Sequence, residues 1–438
     1  MATDDKYDRQ LRLWGPEGQK RLAESHVLLI KANPIGTEAL KNLILPGIGN
    51  FTVADDALVT PSDHGNNFFV TVESIGKPRA EVTAVLLGEL NPDSRPHALH
   101  GVTVETFIKN PSKLIPYTLI IGCDLSEEEI IALGNTCAAQ NKPLILTSCF
   151  GLIGYVRLYS SEHDIIDSKP IEQVVSDLRL SRPFPELLAF AKNFDLAKMN
   201  DLHHKHTPFP VILIKAKELW KEKNEGKLPG DFKEKSEFTK MIKEMSRDFH
   251  TEENFQEAAA AAPQCFVSNE LKGPLKSVLE DPKCEDKTIK DKFWLLATTL
   301  KRFYMKYSEL PLNGKIPDIT ADTENYLTLQ KIYKDKANED FLLFLELLKE
   351  LKKERALPEG IITESEARNF CENNGTVMCI RYSQVSEEYT KGPNKKTIEG
   401  EINDSESLIQ WYILVRASLR YHKKYKMYPA EKAPHDQV

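Results

Sequence analysis

The sequence predicts an α/β fold: a Rossmann-like, mostly parallel sheet with helices on both faces, followed by a large, mostly α-helical second domain. Three observations lead to this prediction. An apolar run at residues 27–30 is followed by a turn and an amphipathic helix, as in the first βα turn of a dinucleotide-binding fold. Apolar strands and helical segments then alternate as far as about residue 160. Beyond that residue, apolar positions recur mainly at helical spacing.

Residues 1–160 are expected to form the α/β domain. Continuous apolar strands between helices are typical of a parallel sheet that is covered on both faces. The segment at 151–159 is predicted to be an antiparallel strand at the edge of the sheet. The other predicted strands are 27–30, 51–54, 102–106, 117–122 and 143–148, and the predicted helices are 37–45, 76–90 and 126–140.

Residues 161–429 are expected to form the helical domain, and residues 430–438 a polar tail. Thr363-Glu-Ser-Glu366 fits a helix capping box. His203-His-Lys-His206 is interpreted as a solvated polar turn, since it lacks a further ligand at metal-binding spacing. A loop is predicted at 391–404, and the predicted helices are 211–225, 231–247, 252–262, 289–307, 323–354, 365–373 and 404–426.

Composition restricts the class of protein. The 438 residues carry a formal net charge of −7 with acidic and basic residues interspersed, so no basic surface for nucleic acid is indicated. The seven cysteines are scattered without a C-x-x-C pair, which suits a reducing compartment and argues against a disulfide framework or a zinc ribbon. No secretory signal or membrane-spanning run is evident. We therefore expect a soluble protein of the cytoplasm, with the nucleus as a second location.

The first βα turn lacks most of the glycines that a nucleotide-binding turn needs. A working turn reads G-x-G-x-x-G, because the first two glycines let backbone amides approach a pyrophosphate at the helix N-terminus. Lys31 and Asn33 stand where those two glycines are expected, and Pro34 removes another N–H donor. Only Gly36 remains. The sequence therefore predicts that the fold is kept while the chemistry of its nucleotide pocket is lost.

A series of motifs runs through the chain: Lys6-Tyr-Asp-Arg-Gln-Leu-Arg-Leu-Trp-Gly15, Leu45-Pro-Gly-Ile-Gly49, Gly65-Asn-Asn-Phe-Phe69, Ser74-Ile-Gly-Lys-Pro-Arg-Ala-Glu81, Asp177-Leu-Arg-Leu180, Pro183-Phe-Pro-Glu-Leu187, His206-Thr-Pro-Phe-Pro210 and Gly314-Lys-Ile-Pro-Asp-Ile-Thr-Ala-Asp322. In this order they resemble the activating enzymes of ubiquitin-like modifiers, which have a ThiF- and MoeB-like adenylation fold. The resemblance covers the chain from Lys6 to about Pro429. It is closest to the regulatory, non-cysteine subunits of heterodimeric neddylation-activating enzymes.

In that family one subunit carries a competent adenylation domain and the other carries a degenerate copy of it, and the resemblance implies that this chain is the degenerate copy. Asp55, 19 residues beyond Gly36, stands where an acid would hold the ribose, close to the usual spacing of about 20. The expected Asn-x-x-Arg-Gln stretch instead reads Asn66-Asn-Phe-Phe69, and the expected lysine of the next helix start is Arg79. Together with the altered glycine turn, these two changes leave three of the four expected ATP contacts without the residues that they require.

The resemblance also implies the role of the chain. It would be a non-catalytic regulatory subunit that forms a heterodimer with a cysteine-bearing subunit and helps to dock the ubiquitin-like modifier with its helical domain. That domain corresponds in position to a catalytic-cysteine domain but shows no catalytic cysteine. ATP and magnesium would be bound by the partner, and no cofactor or metal by this chain. Neither a nucleic acid nor a membrane is an expected partner.

Arg9 is the residue to which the resemblance gives a catalytic role, in trans. The arginine of the Tyr-Asp-Arg-Gln motif would cross the dimer to the ATP phosphates of the partner, where a guanidinium can stabilise the charge that develops during adenylation. Arg12, three residues later on the same predicted helix, is a secondary candidate. By composition alone, Arg9 would be a solvated surface arginine on a helix whose apolar residues pack inward, namely Leu11, Leu13 and Trp14.

Other interpretations remain open at this point. Asp55 could be a strand-end cap, since no pyrophosphate would be anchored beside it, and Asp124 could be a vestigial magnesium contact, although a lone carboxylate binds Mg²⁺ poorly without phosphates. The chain could also be a nicotinamide-dependent oxidoreductase with a helical substrate domain, or a protein-interaction adaptor outside any enzyme. The loss of the glycine turn argues against the oxidoreductase. After Pro429 we find no segment resembling the closing strands and helix of the α/β domain.

Overall fold

A computed structural model describes residues 6–167, 177–391, 395–425, 427 and 429. The chain divides into two compact units. The first contains the residues up to 163 together with those from 381 onward, and the second contains residues 164–380. No helix in the described ranges combines the length and the apolar character that a membrane span requires.

Helices and strands alternate in the first part of the chain, and helices predominate in the remainder, as the sequence predicts. The strands are β1 (His26–Ile30), β2 (Asn50–Asp55), β3 (Arg95–His100), β4 (Leu119–Cys123), β5 (Leu144–Phe150), β6 (Ile153–Tyr159), β7 (His163–Ile165) and β8 (Met378–Ile380). The helices are α1 (Asp8–Ala23), α2 (Pro34–Ile44), α3 (Pro61–Asn66), α4 (Arg79–Gly88), α5 (Val104–Lys109), α6 (Glu127–Ala139), α7 (Pro185–Lys192), α8 (Asp201–Lys205), α9 (Phe209–Lys223), α10 (Phe232–Met245), α11 (Glu253–Ala261), α12 (Gly273–Leu279), α13 (Lys292–Tyr307), α14 (Thr323–Glu354), α15 (Glu364–Glu372), α16 (Val385–Thr390), α17 (Lys395–Glu401) and α18 (Ile409–Tyr425). Short 3₁₀ turns lie at Val72–Ser74, Pro111–Leu114, Ala262–Phe266, Pro282–Cys284, Glu359–Ile361 and Asn374–Thr376.

The first unit is built on a six-stranded sheet with the order β3-β2-β1-β4-β5-β6. The pairs from β3 to β5 are parallel, and β6 pairs antiparallel with β5 at the edge of the sheet. Alternate side chains of β1 enter two different cores, because successive residues of a strand point to opposite faces. Val27 and Leu29 pack in the core of α2 and α4, and Leu28 and Ile30 in the core of α5 and α6. The predicted mostly parallel sheet, covered on both faces, is confirmed.

The prediction of a strand at residues 102–106 is wrong. This region begins helix α5, whose Val104 and Phe107 are buried three residues apart on one face. The third strand of the sheet is instead β3, whose side chains are almost all exposed and which contains Pro96. An edge strand tolerates a proline because its outer N–H groups need no partner in the sheet. Such a strand has no apolar run that a sequence pattern could detect.

The second unit has two hydrophobic cores. One surrounds Leu213 and Phe255, and the other surrounds Trp294 and Phe344. Every long helix predicted in this unit is present within a few residues, and α14 has the predicted bounds. The capping box at Thr363 is also present, with reciprocal hydrogen bonds between Thr363 and Glu366. The sequence patterns missed β7, β8 and the shorter helices α7, α8 and α12.

The interpretation of residues 203–206 as a solvated turn is wrong for one of its histidines. His204 lies on α8 and is buried, with its Nδ1 atom 2.8 Å from Glu252 Oε1. Its ring stacks on Phe255. Asn254 fixes the same loop by donating from Nδ2 to the carbonyl oxygens of His204 and Thr207. This histidine therefore belongs to the polar interior of the second unit.

The last part of the chain does not follow the expected bounds of 161–429 for the helical domain, because the described residues from 381 onward belong to the first unit. The polar tail predicted at 430–438 lies outside the described ranges. Glu388 of α16 joins β6 to α18, since it accepts hydrogen bonds from Arg157 Nε and the Tyr412 hydroxyl, both at 2.7 Å. Val385 packs on Gly134 of α6, where a Cβ atom would lie only 2.9 Å from the valine.

Helices α16 and α18 therefore return to the α/β unit. They cover the side of the sheet that holds α6, although the sequence placed them in the helical domain. The residues after Pro429, where we expected no closing strands or helix, lie outside the described ranges. The loop expected at 391–404 also contains a helix, α17. Helical spacing in a sequence identifies a helix, but it does not say which core its apolar face joins.

Candidate functional site

The candidate site lies beyond the carboxyl ends of β1, β2 and β4. In parallel sheets of this kind, ligands bind at that edge, near the point where the strand order reverses. Lys31 follows β1, Asp55 ends β2 and Asp124 follows β4. The structure thus brings together the residues that the sequence placed in a degenerate nucleotide pocket.

Lys31 occupies a backbone conformation that favours glycine, with φ at +66°. Its Nζ atom donates to the carbonyl oxygen of Asp124 at 3.2 Å and pairs with Glu129 Oε2 at 3.3 Å. The ammonium group therefore binds the loop after β4 and the first turn of α6. A nucleotide-binding turn would present bare backbone at this position, whereas here a charged side chain reaches across the turn.

Asn33 satisfies the start of α2 from within the chain. Its Oδ1 atom accepts a hydrogen bond from Gly36 N at 2.9 Å, which is the standard side-chain cap of a helix. Its Nδ2 group donates to Asp124 Oδ2. Pro34 follows as the first helical residue and has no N–H to offer. The helix N-terminus that would bind a pyrophosphate is therefore already capped by Asn33.

Gly36 is retained for packing. A Cβ atom at this position would lie 2.8 Å from Cys123 Sγ and 2.8 Å from Leu29 Cδ1. The third glycine of a dinucleotide turn serves this purpose, since it lets the helix approach the strands closely. The glycine that survives is thus the one whose role does not depend on a nucleotide.

Both carboxylate oxygens of Asp55 accept hydrogen bonds from other groups of the chain. It is 1% exposed and accepts hydrogen bonds from the backbone N–H groups of Ala32 at 2.7 Å and Ala57 at 2.9 Å. Arg79, the first residue of α4, binds both oxygens of Asp55, with Nε 2.8 Å from Oδ2 and Nη2 3.3 Å from Oδ1. Its Nη1 atom donates to Asp63 Oδ1 at 2.8 Å. An arginine is thus clamped between the carboxylates of Asp55 and Asp63.

Sequence reasoning missed Asp63 and Asn67. Asp63 closes a capping box with Thr60 at the start of α3, and the spacing Thr-x-x-Asp was a usable signal for it. Asn67 is buried, donates from Nδ2 to the Ala32 carbonyl oxygen at 3.2 Å, and accepts from Thr37 Oγ1. The segment in which the resemblance leads one to expect an arginine therefore binds the first βα turn through Asn67.

The pKa of Asp63 predicts how this network responds to acid. Burial alone would raise that pKa, but hydrogen bonds from Thr60 and the ion pair with Arg79 outweigh it, so the pKa lies below its ordinary value of 3.8. The stabilisation is therefore complete above the ordinary pKa and is lost as the pH falls through the lowered folded-state pKa. We expect Asp63→Asn to lower the free energy of unfolding by about 2 kcal/mol at pH 7.

Urea unfolding of both proteins between pH 7 and pH 3 measures this effect. The difference between wild type and Asp63→Asn should shrink at the acid end of the series. Asp335→Asn, at an exposed ion pair with Lys331 on α14, is the matched control and should have little effect at any pH. A difference that stays constant down to pH 3 would contradict the expected linkage.

Asp124 is an unfavourable ligand for a metal ion. Its backbone has φ at +44°, and its Oδ2 atom accepts a hydrogen bond from Asn33. Burial raises the pKa of Asp124, although the bond from Asn33 and the charge of Lys31 act in the opposite direction. In the described ranges, Asp124 belongs to no group of three side chains that could share a metal ion.

Arg9 lies near the start of α1 and is exposed. No described residue forms an ion pair or hydrogen bond with its guanidinium group, whereas Arg12 pairs with Asp8 at 3.0 Å. Leu13 and Trp14 are 55% and 37% exposed, so the interpretation in which they pack inward is wrong. Gly15, with φ at +70°, interrupts the helix after them. Arg9 and Leu13, which are four residues apart, thus lie on the same face of α1.

Comparison with known proteins adds evidence from outside the structure. Residues 7–174 match the ThiF family. The NEDD8-activating enzyme E1 regulatory subunit of Xenopus laevis is 36% identical over 435 residues, which cover 97% of this chain and 81% of the relative. The regulatory subunit AXR1 of Arabidopsis thaliana is 36% identical over 433 residues, covering 97% and 79%. The regulatory subunit of Saccharomyces cerevisiae is 27% identical over 434 residues, covering 94% and 85%.

Proposed function

The chain belongs to the family of NEDD8-activating enzyme E1 regulatory subunits, and on this basis we propose that it is the non-catalytic half of a heterodimer with a cysteine-bearing catalytic subunit. In this proposal the catalytic subunit binds ATP and magnesium, adenylates the modifier and forms the thioester. This chain contributes Arg9 to the ATP site of that partner. The membership in this family argues against the nicotinamide-dependent oxidoreductase.

One observation carries the proposal: the groups that would hold a nucleotide already bind other groups of this chain. Asn33 caps α2, and Arg79 binds both oxygens of Asp55. A nucleotide would have to displace a buried ion pair and a helix cap before it met any free donor, and such displacement is unfavourable. This supports the proposal that the nucleotide chemistry of the assembly comes from the other subunit.

Three of the four cysteines of the second unit support the same division; the fourth, Cys379, is half-buried. Cys265, Cys284 and Cys371 are buried. Burial raises the pKa of Cys265 to about 12 and that of Cys284 to about 11, and it also raises the pKa of Cys371. A thioester-forming cysteine needs an accessible thiolate, so these three thiols are unsuited to that role. We propose that this unit instead helps to dock the modifier, which is tested by comparing NEDD8 binding to the heterodimer and to the catalytic subunit alone.

The test of the proposal is ATP–pyrophosphate exchange with NEDD8. The isolated chain should show no exchange, and the chain mixed with its catalytic subunit should support it. Exchange by the isolated chain would overturn the proposal. Co-purification of the catalytic subunit distinguishes it from the third possibility, an adaptor outside any enzyme, for which a mixture of the two proteins would stay inactive.

Restoring the glycines should not restore nucleotide binding. In the variant Lys31→Gly/Asn33→Gly, Pro34 still removes a donor and Arg79 still occupies Asp55, so we expect no heat of binding when Mg-ATP is titrated into the isolated protein. The wild-type chain should behave in the same way, and the catalytic subunit serves as the positive control. Micromolar binding by the isolated wild-type chain would contradict the proposed assignment of ATP to the partner.

A further inference from the structure

The start of α1 is tied to the turn between α4 and β3 by a small cluster of polar side chains. Lys6 Nζ donates to Asn91 Oδ1 and forms an ion pair with Asp93 Oδ2 at 2.7 Å. The hydroxyl of Tyr7 donates to Asp93 Oδ2 at 2.9 Å and accepts from Asn91 Nδ2 at 3.0 Å. We refer to Lys6, Tyr7, Asn91 and Asp93 as the N-terminal clamp.

The receiving side of the clamp is itself anchored. Asn91 is 1% exposed and donates from Nδ2 to the carbonyl oxygen of Ile44 at the end of α2, at 2.7 Å. Gly47, with φ at +99°, lies against Tyr7, since a Cβ atom there would come within 2.9 Å of the tyrosine ring. Tyr7 is therefore held between the Gly47 backbone and a turn that is bound to the body of the first unit.

The segment that carries Arg9 has no buried side chain to anchor it: none of the side chains of α1 is buried, and the helix is interrupted at Gly15. Beyond that interruption, Gln19 Nε2 donates to the Pro46 carbonyl oxygen at 2.8 Å. A helical segment this short does not keep its conformation in water by itself, so its placement depends on how its ends are fixed. The clamp is the attachment at the end next to Arg9.

The two charged residues of the clamp, Lys6 and Asp93, each stabilise the charged form of the other. The hydrogen bonds from Lys6 and then from Tyr7 lower the pKa of Asp93, and the bond to Asp93 raises the pKa of Lys6. Ion pairs this exposed contribute little to the stability of a whole domain. Their effect should therefore be found in where the helix lies, and only weakly in whether the unit folds.

We propose that Lys6, Tyr7 and Asp93 are positioning residues for Arg9, which hold its guanidinium at the place where it meets the phosphates in the partner's ATP site. This inference rests on the proposed function, because it takes Arg9 to act in that site. Misplacement of a reacting group by about 1 Å can lower a rate by as much as a hundredfold. A clamp that fixes the helix start would guard against such misplacement.

The experiment is a double-mutant cycle on the reconstituted heterodimer, measured as ATP–pyrophosphate exchange with NEDD8. The variants are Asp93→Asn and Tyr7→Phe, each with Arg9 intact and in the Arg9→Ala background. We expect each to slow exchange about tenfold when Arg9 is present and not at all when Arg9 is absent, because coupled residues are not additive. Glu105→Gln, at an exposed ion pair with Lys109, is the matched control and should leave exchange unchanged.

The outcomes separate this inference from the proposed function. An equal loss of rate in both backgrounds would mean that the clamp acts on the fold in general, and no loss with Arg9 present would mean that it does not place Arg9, so either result overturns the inference alone. If Arg9→Ala itself leaves exchange unchanged, both the role of Arg9 and the clamp are overturned. The melting temperature and the affinity for the catalytic subunit should be unchanged in each variant, and loss of either would likewise overturn a purely positioning role.

Discussion

Replacing Arg9 with alanine is expected to slow ATP–pyrophosphate exchange by the heterodimer about a hundredfold or more, because removal of one group that stabilises transition-state charge has an effect of this size. The guanidinium is exposed and has no described partner in its own chain. Its removal therefore should not disturb the fold. The loss should appear in the rate of adenylation, while the heterodimer still assembles.

Arg21→Ala is the matched control for Arg9→Ala. Arg21 is exposed on the same helix beyond Gly15, where it forms an ion pair with Glu17 at 3.6 Å. Exchange by this variant should equal that of wild type. Arg12→Ala should have a smaller effect than Arg9→Ala, because Arg12 is already paired with Asp8. Equal rates for the Arg9→Ala and Arg21→Ala enzymes would refute the role given to Arg9.

Replacing Arg79 with leucine is expected to lower the free energy of unfolding by about 3–5 kcal/mol, because it leaves a buried charge without its partner. Asp55 is 1% exposed, and Arg79 binds both of its oxygens. The two remaining hydrogen bonds, from Ala32 and Ala57, are too few to compensate for the lost counter-charge. The effect should be much larger than for an ordinary surface ion pair.

Urea unfolding followed by circular dichroism measures this loss. Arg21→Leu removes an arginine from an exposed ion pair and should change the free energy of unfolding by less than about 1 kcal/mol. The double variant Asp55→Asn/Arg79→Leu removes the buried charge as well and should recover part of the stability. If Arg79→Leu were no more destabilising than Arg21→Leu, the ion pair between Arg79 and Asp55 would not have the stabilising role expected of a buried pair.

Local patterns predicted the elements whose signals lie within a few neighbouring residues. The buried strands β1, β4 and β5 were recognisable as apolar runs, and α14 by its long helical period. The unusual first βα turn was also visible in the sequence, since Lys31, Asn33 and Pro34 are the wrong residues for a phosphate-binding turn. In each of these cases the physical cause and the pattern lie in the same segment.

Contacts between distant segments could not be predicted in this way. Tyr7 and Asp93 are 86 residues apart, and Arg157 and Glu388 are 231 apart, so no local period connects them. Strand β3 was missed because an exposed edge strand carries no apolar run. The return of α16 and α18 to the first unit was missed because helical spacing does not identify the core that the helix joins.

The sequence by itself determined that this chain keeps an adenylation-type fold without the glycines for a nucleotide, since backbone freedom at a turn depends on the residues of that turn. Only the tertiary structure decided what these residues bind: Arg79 lies between Asp55 and Asp63, Asn33 caps α2, and Arg9 is exposed beside a clamp of distant residues. The physical reason is that ion pairs and hydrogen bonds require atoms within about 3 Å of each other, and the folded chain alone brings those atoms together.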